Sequence, residues 1–136
     1  PRGSDPATHT KLGRGGLADV EWTVQLLQLM HGHELPGLRT VSTLDALQVL
    51  EDDGVLAAED AAPLRESWLL ATRVRNAAAL VRGKQVDQVP TTGKELAAVA
   101  RIVGYSPDTD PGEFLDSYLR TMRRARAVVE RVFYQG

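Results

Sequence analysis

The residues best suited to chemistry lie in one stretch, Lys11–Gln25, where a basic, glycine-rich turn leads into a predicted amphipathic helix. Gly13, Gly15 and Gly16 flank Arg14 in this turn. Glycine lets another group approach the backbone closely, and the start of a helix offers N–H groups and the positive end of the helix dipole. The turn is therefore suited to contact an anionic group, or to dock against another surface.

The same turn also has a purely structural interpretation. It lacks the Gly-Lys-Ser/Thr ending of a phosphate-binding P-loop, and no strand pattern precedes it. Glycine-rich turns serve packing as often as ligands, and this one could simply set the angle of the following helix. The residues leave both interpretations open.

Charged residues on two predicted helices are the next candidates. Asp19 and Glu21 point about 200° apart on a helix, so they cannot grip one metal ion together. Arg75 falls on the same helical face as the apolar residues Trp68 and Ala71, and a buried arginine needs an anion. That anion could be a phosphate or an acidic group at a domain interface. The alternative, which we favour, is a structural ion pair with Asp19 or Glu21.

The remaining polar residues do not form a recognisable catalytic set. His9, His31, His33 and Glu34 lack a standard metal-ligand spacing. Arg120, Arg124 and Arg131 form a basic stripe, but no interleaved aromatics support nucleic-acid binding. We therefore predict no catalytic residue and no metal ligand in this chain.

Length and composition indicate one globular domain. The 136 residues are 43% hydrophobic and only 5% aromatic, so the core must consist mainly of Leu, Val and Ala, which favour helices. There is no cysteine, and no apolar run approaches the length of a membrane span. The net charge of −2 gives no general attraction to nucleic acid, although it divides into −6 over residues 1–68 and +4 over residues 69–136.

Hydrophobic periodicity and capping residues predict an all-α bundle of about five helices. Residues 1–10 are expected to be a linker from a preceding domain, and residues 11–136 the helical domain. The first helix has two apolar faces and should be packed from both sides; a turn at Pro36 and Gly37 follows it. The predicted helices are Leu17–His31, Ser42 or Thr43 to Glu51, Glu59 or Asp60 to Arg82, Gly93–Val103 and Glu113–Tyr134.

The opening stretch also resembles the signature of the glutamine synthetase adenylyltransferase family, in its actinobacterial form. Supporting matches continue to the end of the chain. The matching motifs are Lys11-x-Gly13-Arg14-Gly15-Gly16-Leu17-x-Asp19-Val20-Glu21-Trp22-x-x-Gln25, Arg73-x-Arg75-Asn76, Asp87-x-x-Pro90, Gly104-Tyr105 and Arg123-x-x-Arg126-x-Val128-Val129. Many relatives carry Arg where Ala18 stands here, so any role of that side chain is absent.

This resemblance implies a bifunctional, cytoplasmic enzyme of nitrogen metabolism. One half transfers AMP from ATP, with Mg²⁺, to a tyrosine of glutamine synthetase, and the other half removes it by phosphorolysis. Each half has a nucleotidyltransferase domain, which holds the metal-binding carboxylates, followed by a helical domain. This chain resembles only the helical domain, in the C-terminal half. The implied partners are the preceding nucleotidyltransferase domain, glutamine synthetase and the PII signalling protein, with no nucleic acid and no membrane.

The resemblance further implies that the helical domain forms one wall of the ATP cleft. We expect Arg14, Gly15 and Gly16 to face the cleft and to contact phosphate, and Arg75 to brace the wall. The fragment alone should not transfer AMP. Two other interpretations remain: the helical domain of a PII uridylyltransferase, and a non-catalytic protein-interaction module, which an exposed apolar patch without a response to ATP would favour.

Overall fold

A computed structural model of the chain describes residues 5–31 and 42–134, and the regular structure of these residues is helical. His33, Glu34 and the predicted turn at Pro36 lie outside the described residues. The all-α bundle of about five helices is confirmed. The elements are a 3-10 turn (Pro6–Thr8) and the helices α1 (Leu17–His31), α2 (Thr43–Asp52), α3 (Ala58–Arg82), α4 (Gly93–Ile102) and α5 (Pro111–Tyr134).

The helix boundaries follow local signals that are visible in the sequence. The Ser42 hydroxyl accepts a hydrogen bond from the Asp45 N–H at 3.3 Å and so caps α2. Gly83, at φ +72°, ends α3 in the left-handed conformation that favours glycine. α5 begins at Pro111, two residues before the predicted start, because proline is preorganised for the first helical position.

The core consists of two apolar clusters that α3 and α5 share. One cluster joins α1, α2, the start of α3 and the end of α5; the other joins the rest of α3 with α4 and the start of α5. Trp68 packs against both clusters. Fully buried alanines on α3, such as Ala61 and Ala71, let neighbouring helices approach closely. The two long helices therefore hold α1 in place.

The expectation that α1 is packed from both sides is wrong. One face, with Val20 and Val24, is buried in the core. On the other face, Trp22, Leu29 and Met30 are 57%, 83% and 51% exposed. α2, α3 and α5 all pack against the first face, so none of these three helices covers the second.

The described part of the predicted linker, residues 5–10, is bonded to the loop between α3 and α4. Thr10 donates its backbone N–H (2.7 Å) and its hydroxyl (3.0 Å) to the Asp87 carbonyl oxygen. The Val89 N–H donates to the Thr8 carbonyl oxygen at 2.9 Å, and the Gln88 side chain contacts the Thr8 hydroxyl. Both threonines are buried, so this segment is part of the packed domain.

Candidate functional site

The glycine-rich turn uses most of its backbone N–H groups within the chain. The Gly15 N–H donates to the Asp19 carboxylate (Oδ2) at 2.7 Å, and the Gly16 N–H donates to the Gly13 carbonyl oxygen at 2.9 Å. The Leu17 N–H donates to the Thr10 carbonyl oxygen at 2.9 Å. The structure thus differs from the expectation of free N–H groups at the start of α1, because the turn folds back on residues 10–13.

The glycines are required by close backbone packing. Gly15 has φ +77°, and a Cβ atom on it would overlap the Met122 carbonyl oxygen of α5. A Cβ atom on Gly16 would lie 2.5 Å from the Thr10 carbonyl oxygen. The turn therefore seats the start of α1 directly on the backbone of α5, which supports the structural interpretation of these glycines.

Asp19 joins the turn to α5. Besides the Gly15 N–H, its Oδ2 accepts a hydrogen bond from Arg126 Nη1 at 2.9 Å, and the Asp19 side chain is only 15% exposed. The expected ion pair between Arg75 and Asp19 or Glu21 is wrong. α5 lies beside the start of α1 and supplies the nearer guanidinium, while Arg75 has its own carboxylate partner in the loop after α3.

Arg126 lies at the centre of a small ionic network. Its Nε also donates to Glu130 Oε1 at 3.1 Å, one turn further along α5. Burial alone lowers the pKa of Arg126, but its hydrogen bonds to Asp19 and Glu130, together with their charges, outweigh this and raise the pKa above its ordinary value. Arg126 therefore remains charged and fixes the position of Asp19.

Next to this network lies an open cleft of about 910 Å³ between α5 and residues 5–14, which we call the entry segment. Its wall combines apolar side chains with three guanidinium groups. The lining residues are Asp5, Pro6, Ala7, Leu12, Arg14, Leu119, Met122, Arg123, Arg126, Ala127 and Glu130. Arg14 and Arg123 are exposed, and neither has an ion-pair partner within residues 5–31 and 42–134. We refer to this feature as the arginine cleft.

Arg75 lies outside the lining of the arginine cleft but supports its wall. Arg75 Nε contacts Asp87 Oδ1 at 2.7 Å, and neither atom bonds to any other described group. The carbonyl oxygen of the same Asp87 holds Thr10, which lies between the cleft-lining residues Ala7 and Leu12. The pair therefore connects α3 to the entry segment through the loop before α4.

We expect Arg75→Ala to loosen the entry segment without unfolding the domain. Loss of the ion pair frees the loop that holds Thr10, so the Thr10 and Val89 N–H groups should exchange about tenfold faster, which corresponds to about 1.4 kcal/mol of local stability. Hydrogen exchange measured by NMR checks this. Arg73→Ala on the same helix is the matched control, since in the part of the chain that the structure describes Arg73 bonds to the Val103 carbonyl oxygen and not to the loop that holds Thr10. Equal exchange rates in the two variants would rule out the bracing role.

The two arginines of α5 that line the cleft, Arg123 and Arg126, are not the ones that the predicted basic stripe contains. In the sequence they stand only in the last matching motif, whereas the stripe consists of Arg120, Arg124 and Arg131. In the structure Arg131 pairs with Asp60 at 2.9 Å, and Arg120 and Arg124 lie outside the cleft. The three-residue spacing of Arg123 and Arg126 is the signal that places both on one side of a helix.

Within the described ranges, no three His, Cys, Asp or Glu side chains come together in a way that could hold a metal ion. None of the helices described has the length and apolar character needed to cross a membrane.

Fold and site together define an all-helical domain that carries an arginine-lined cleft and, in its described residues, no assembled metal site. A model of the GlnD PII-uridylyltransferase family matches residues 4–133. The chain therefore belongs to this family.

Curated relatives of the chain carry a more specific name, bifunctional glutamine synthetase adenylyltransferase/adenylyl-removing enzyme. The chain is 65% identical over 134 residues to the one from Nocardia farcinica, 61% over 134 residues to that of Streptomyces avermitilis and 59% over 133 residues to that of Mycobacterium avium. Each match covers 98% of this chain and 13% of the relative. The resemblance to adenylyltransferases of the actinobacterial type is confirmed, and the chain spans only about an eighth of their length.

Proposed function

We propose that this chain is the helical domain of a bifunctional enzyme that adenylylates and deadenylylates a tyrosine of glutamine synthetase. Identity of 57–65% over nearly the whole chain to enzymes of that name supports the proposal. A nucleotidyltransferase domain would precede it in the C-terminal, adenylylating half of a cytoplasmic protein. That domain would supply the carboxylates that hold Mg²⁺, and the isolated chain would be inactive.

The observation that carries the proposal is a pair of arginines in the arginine cleft, neither of which has a carboxylate partner among the described residues. Arg14 and Arg123 enter it from the glycine turn and from α5. A guanidinium group binds phosphate through two parallel N–H donors, and an exposed cation without a carboxylate partner is ready to do so. Leu12, Leu119 and Met122 form an apolar surface beside them that suits a nucleobase. The cleft therefore fits one side of a bound ATP.

The other residues expected at the nucleotide have indirect roles in this proposal. Gly15 lets the turn lie on α5, and Gly16 lets it fold back on Thr10. The turn so placed directs Arg14 towards the cleft. Arg75 braces the entry segment through Asp87. Asp19 and Arg126 hold the two walls of the cleft together.

Replacing the two arginines in the full-length enzyme tests this role. Because a hydrogen bond to a charged group contributes about 1.5–3 kcal/mol, Arg14→Ala and Arg123→Ala should each lower kcat/KM for ATP in adenylylation by about 10- to 100-fold. Steady-state kinetics with glutamine synthetase as acceptor check this. Arg124→Ala is the matched control, an exposed arginine on α5 outside the cleft.

The control distinguishes nucleotide binding in the cleft from a general effect of removing a positive charge. If Arg124→Ala lowers kcat/KM as much as Arg123→Ala, or if Arg14→Ala has no effect, the cleft does not bind the nucleotide. AMP transfer by the purified 136-residue chain would refute the view that the catalytic groups lie in another domain.

Two other functions have specific support. The family description favours a PII uridylyltransferase, in which UTP would replace ATP and the PII signalling protein would be the acceptor. The exposed face of α1 favours a protein-interaction module for glutamine synthetase or PII. Sequencing the gene upstream of Pro1 distinguishes the two transferases from the interaction module. A Gly-Ser turn and an Asp-x-Asp strand one domain earlier support a transferase, and their absence leaves the interaction module.

A further inference from the structure

The second apolar face of α1 is an uncovered surface of the domain. We refer to Trp22, Leu26, Leu29 and Met30 as the apolar stripe. Their spacing of four, seven and eight residues places them on one side of the helix. Trp22, Leu29 and Met30 are 57%, 83% and 51% exposed, and Leu26 is half-buried beside them.

The stripe is larger than the other apolar groups on the described surface. Leu69 and Leu80 are exposed on α3 but lie about three turns apart, Ile102 is exposed at the end of α4, and Phe133 and Tyr134 form a pair at the end of α5. Three large exposed side chains on one helical face amount to roughly 400 Å² of apolar surface. This area is comparable to the largest apolar patch of a typical monomer, and such patches often have a function.

We infer that the apolar stripe is the surface on which another domain of the same polypeptide docks, namely the nucleotidyltransferase domain of the proposed function. The relatives that the chain matches are much longer, since the chain covers only 13% of each. A patch of roughly 400 Å² is about half of what each partner buries in a stable dimer. The area of the patch matches one side of a contact between two domains of the same chain, because such a contact buries about 600–1,500 Å² in total.

The charge of the domain favours a protein partner over a membrane surface. Residues 1–68, which include α1, carry a net charge of −6. An anionic lipid surface would repel this half of the domain, because interfacial helices combine their apolar face with Lys and Arg. A protein surface with an apolar centre has no such requirement.

The position of the stripe connects it to the arginine cleft. Asp19 lies on the same side of α1 as Leu26 and Met30, and it bonds to Arg126, which lines the cleft. A domain that covers the stripe therefore also borders the cleft. In this arrangement the apolar contact fixes the two domains relative to each other, and the arginines face the ligand between them.

Site-specific labelling tests the inference directly, because the chain contains no cysteine of its own. Leu29→Cys introduces a thiol on the stripe, and Leu80→Cys introduces a matched control at a position that is 74% exposed on α3. Both should react rapidly with a maleimide in the 136-residue chain. In the full-length polypeptide, labelling at position 29 should be at least tenfold slower and labelling at position 80 unchanged, as measured by mass spectrometry of the digested peptides.

Several results would overturn the inference. Equal labelling of Leu29→Cys in the chain and in the full-length polypeptide means that the stripe stays exposed. Protection that appears in the chain alone as its concentration rises identifies a second copy as the occupant. Protection of the chain by anionic phosphatidylserine vesicles identifies a membrane. Because labelling needs no nucleotide, its failure is distinguishable from a failure of the kinetic test of Arg14 and Arg123.

Discussion

Replacing Gly15 with alanine is expected to lower the free energy of unfolding of the chain by about 2–5 kcal/mol. The left-handed backbone of a non-glycine residue costs about 1–2 kcal/mol, and overpacking costs about 1–3 kcal/mol more. Both terms apply at Gly15, which has φ +77° and lies against the backbone of α5 at Met122, a rigid neighbour that cannot turn aside. Urea denaturation followed by circular dichroism measures this loss.

Gly83→Ala is the control that distinguishes the cost of the left-handed backbone from the cost of steric overlap with α5. Gly83 has nearly the same φ, +72°, but nothing lies within 4 Å of the position where its Cβ atom would stand. This variant should therefore lose only the conformational term, about 1–2 kcal/mol. If Gly15→Ala loses no more stability than Gly83→Ala, the turn does not depend on contact with α5.

Asp19→Ala should be the second most damaging change, with a loss of about 2–4 kcal/mol. The substitution leaves the Gly15 N–H and the Arg126 guanidinium without their shared acceptor, and hydrogen bonds to a charged group contribute about 1.5–3 kcal/mol each. The loss stays below the sum of two such bonds because Arg126 keeps Glu130 and is 25% exposed. Thermal unfolding and urea denaturation check the value.

Asp45→Ala is a matched control for this change. Asp45 is also the third residue of its helix, α2, but it is exposed and makes no ion pair within the described residues. It should lose only its favourable interaction with the helix dipole, about 0.3–1 kcal/mol. A double-mutant cycle of Asp19→Ala with Arg126→Ala then isolates the pair, and a coupling energy near zero would show that the two side chains act independently.

These two positions connect stability to the proposed function. Gly15 and Asp19 do not line the arginine cleft, yet they fix the turn that carries Arg14 and the helix that carries Arg123. A conservative change such as Asp19→Asn keeps an acceptor for the Gly15 N–H and removes the charge that holds Arg126. In the full-length enzyme we expect it to lower kcat/KM for ATP by less than Arg14→Ala does.

The fold class follows from the sequence alone, and so do the helix boundaries to within two residues. Periodic apolar residues, the Ser42 cap and the glycine at position 83 are local signals, and each acts within a few residues of the place it marks. The α1 boundaries, Leu17 and His31, agree with the prediction for the same reason. The motif around Gly13–Gly16 was sufficient to indicate the family, because many residues that match the family signature stand close together there.

Which charges meet and which apolar face is covered depend on the tertiary structure. Asp19 and Arg126 are far apart in sequence, and Arg75 and Asp87 lie on different elements. Helical periodicity could therefore show that a buried charge needs a partner but not which one. Likewise, the sequence showed two apolar faces on α1 but not that three helices pack on the same one. Pairing across a bundle depends on how the helices are arranged around each other, and that arrangement is fixed by the packing of the whole core.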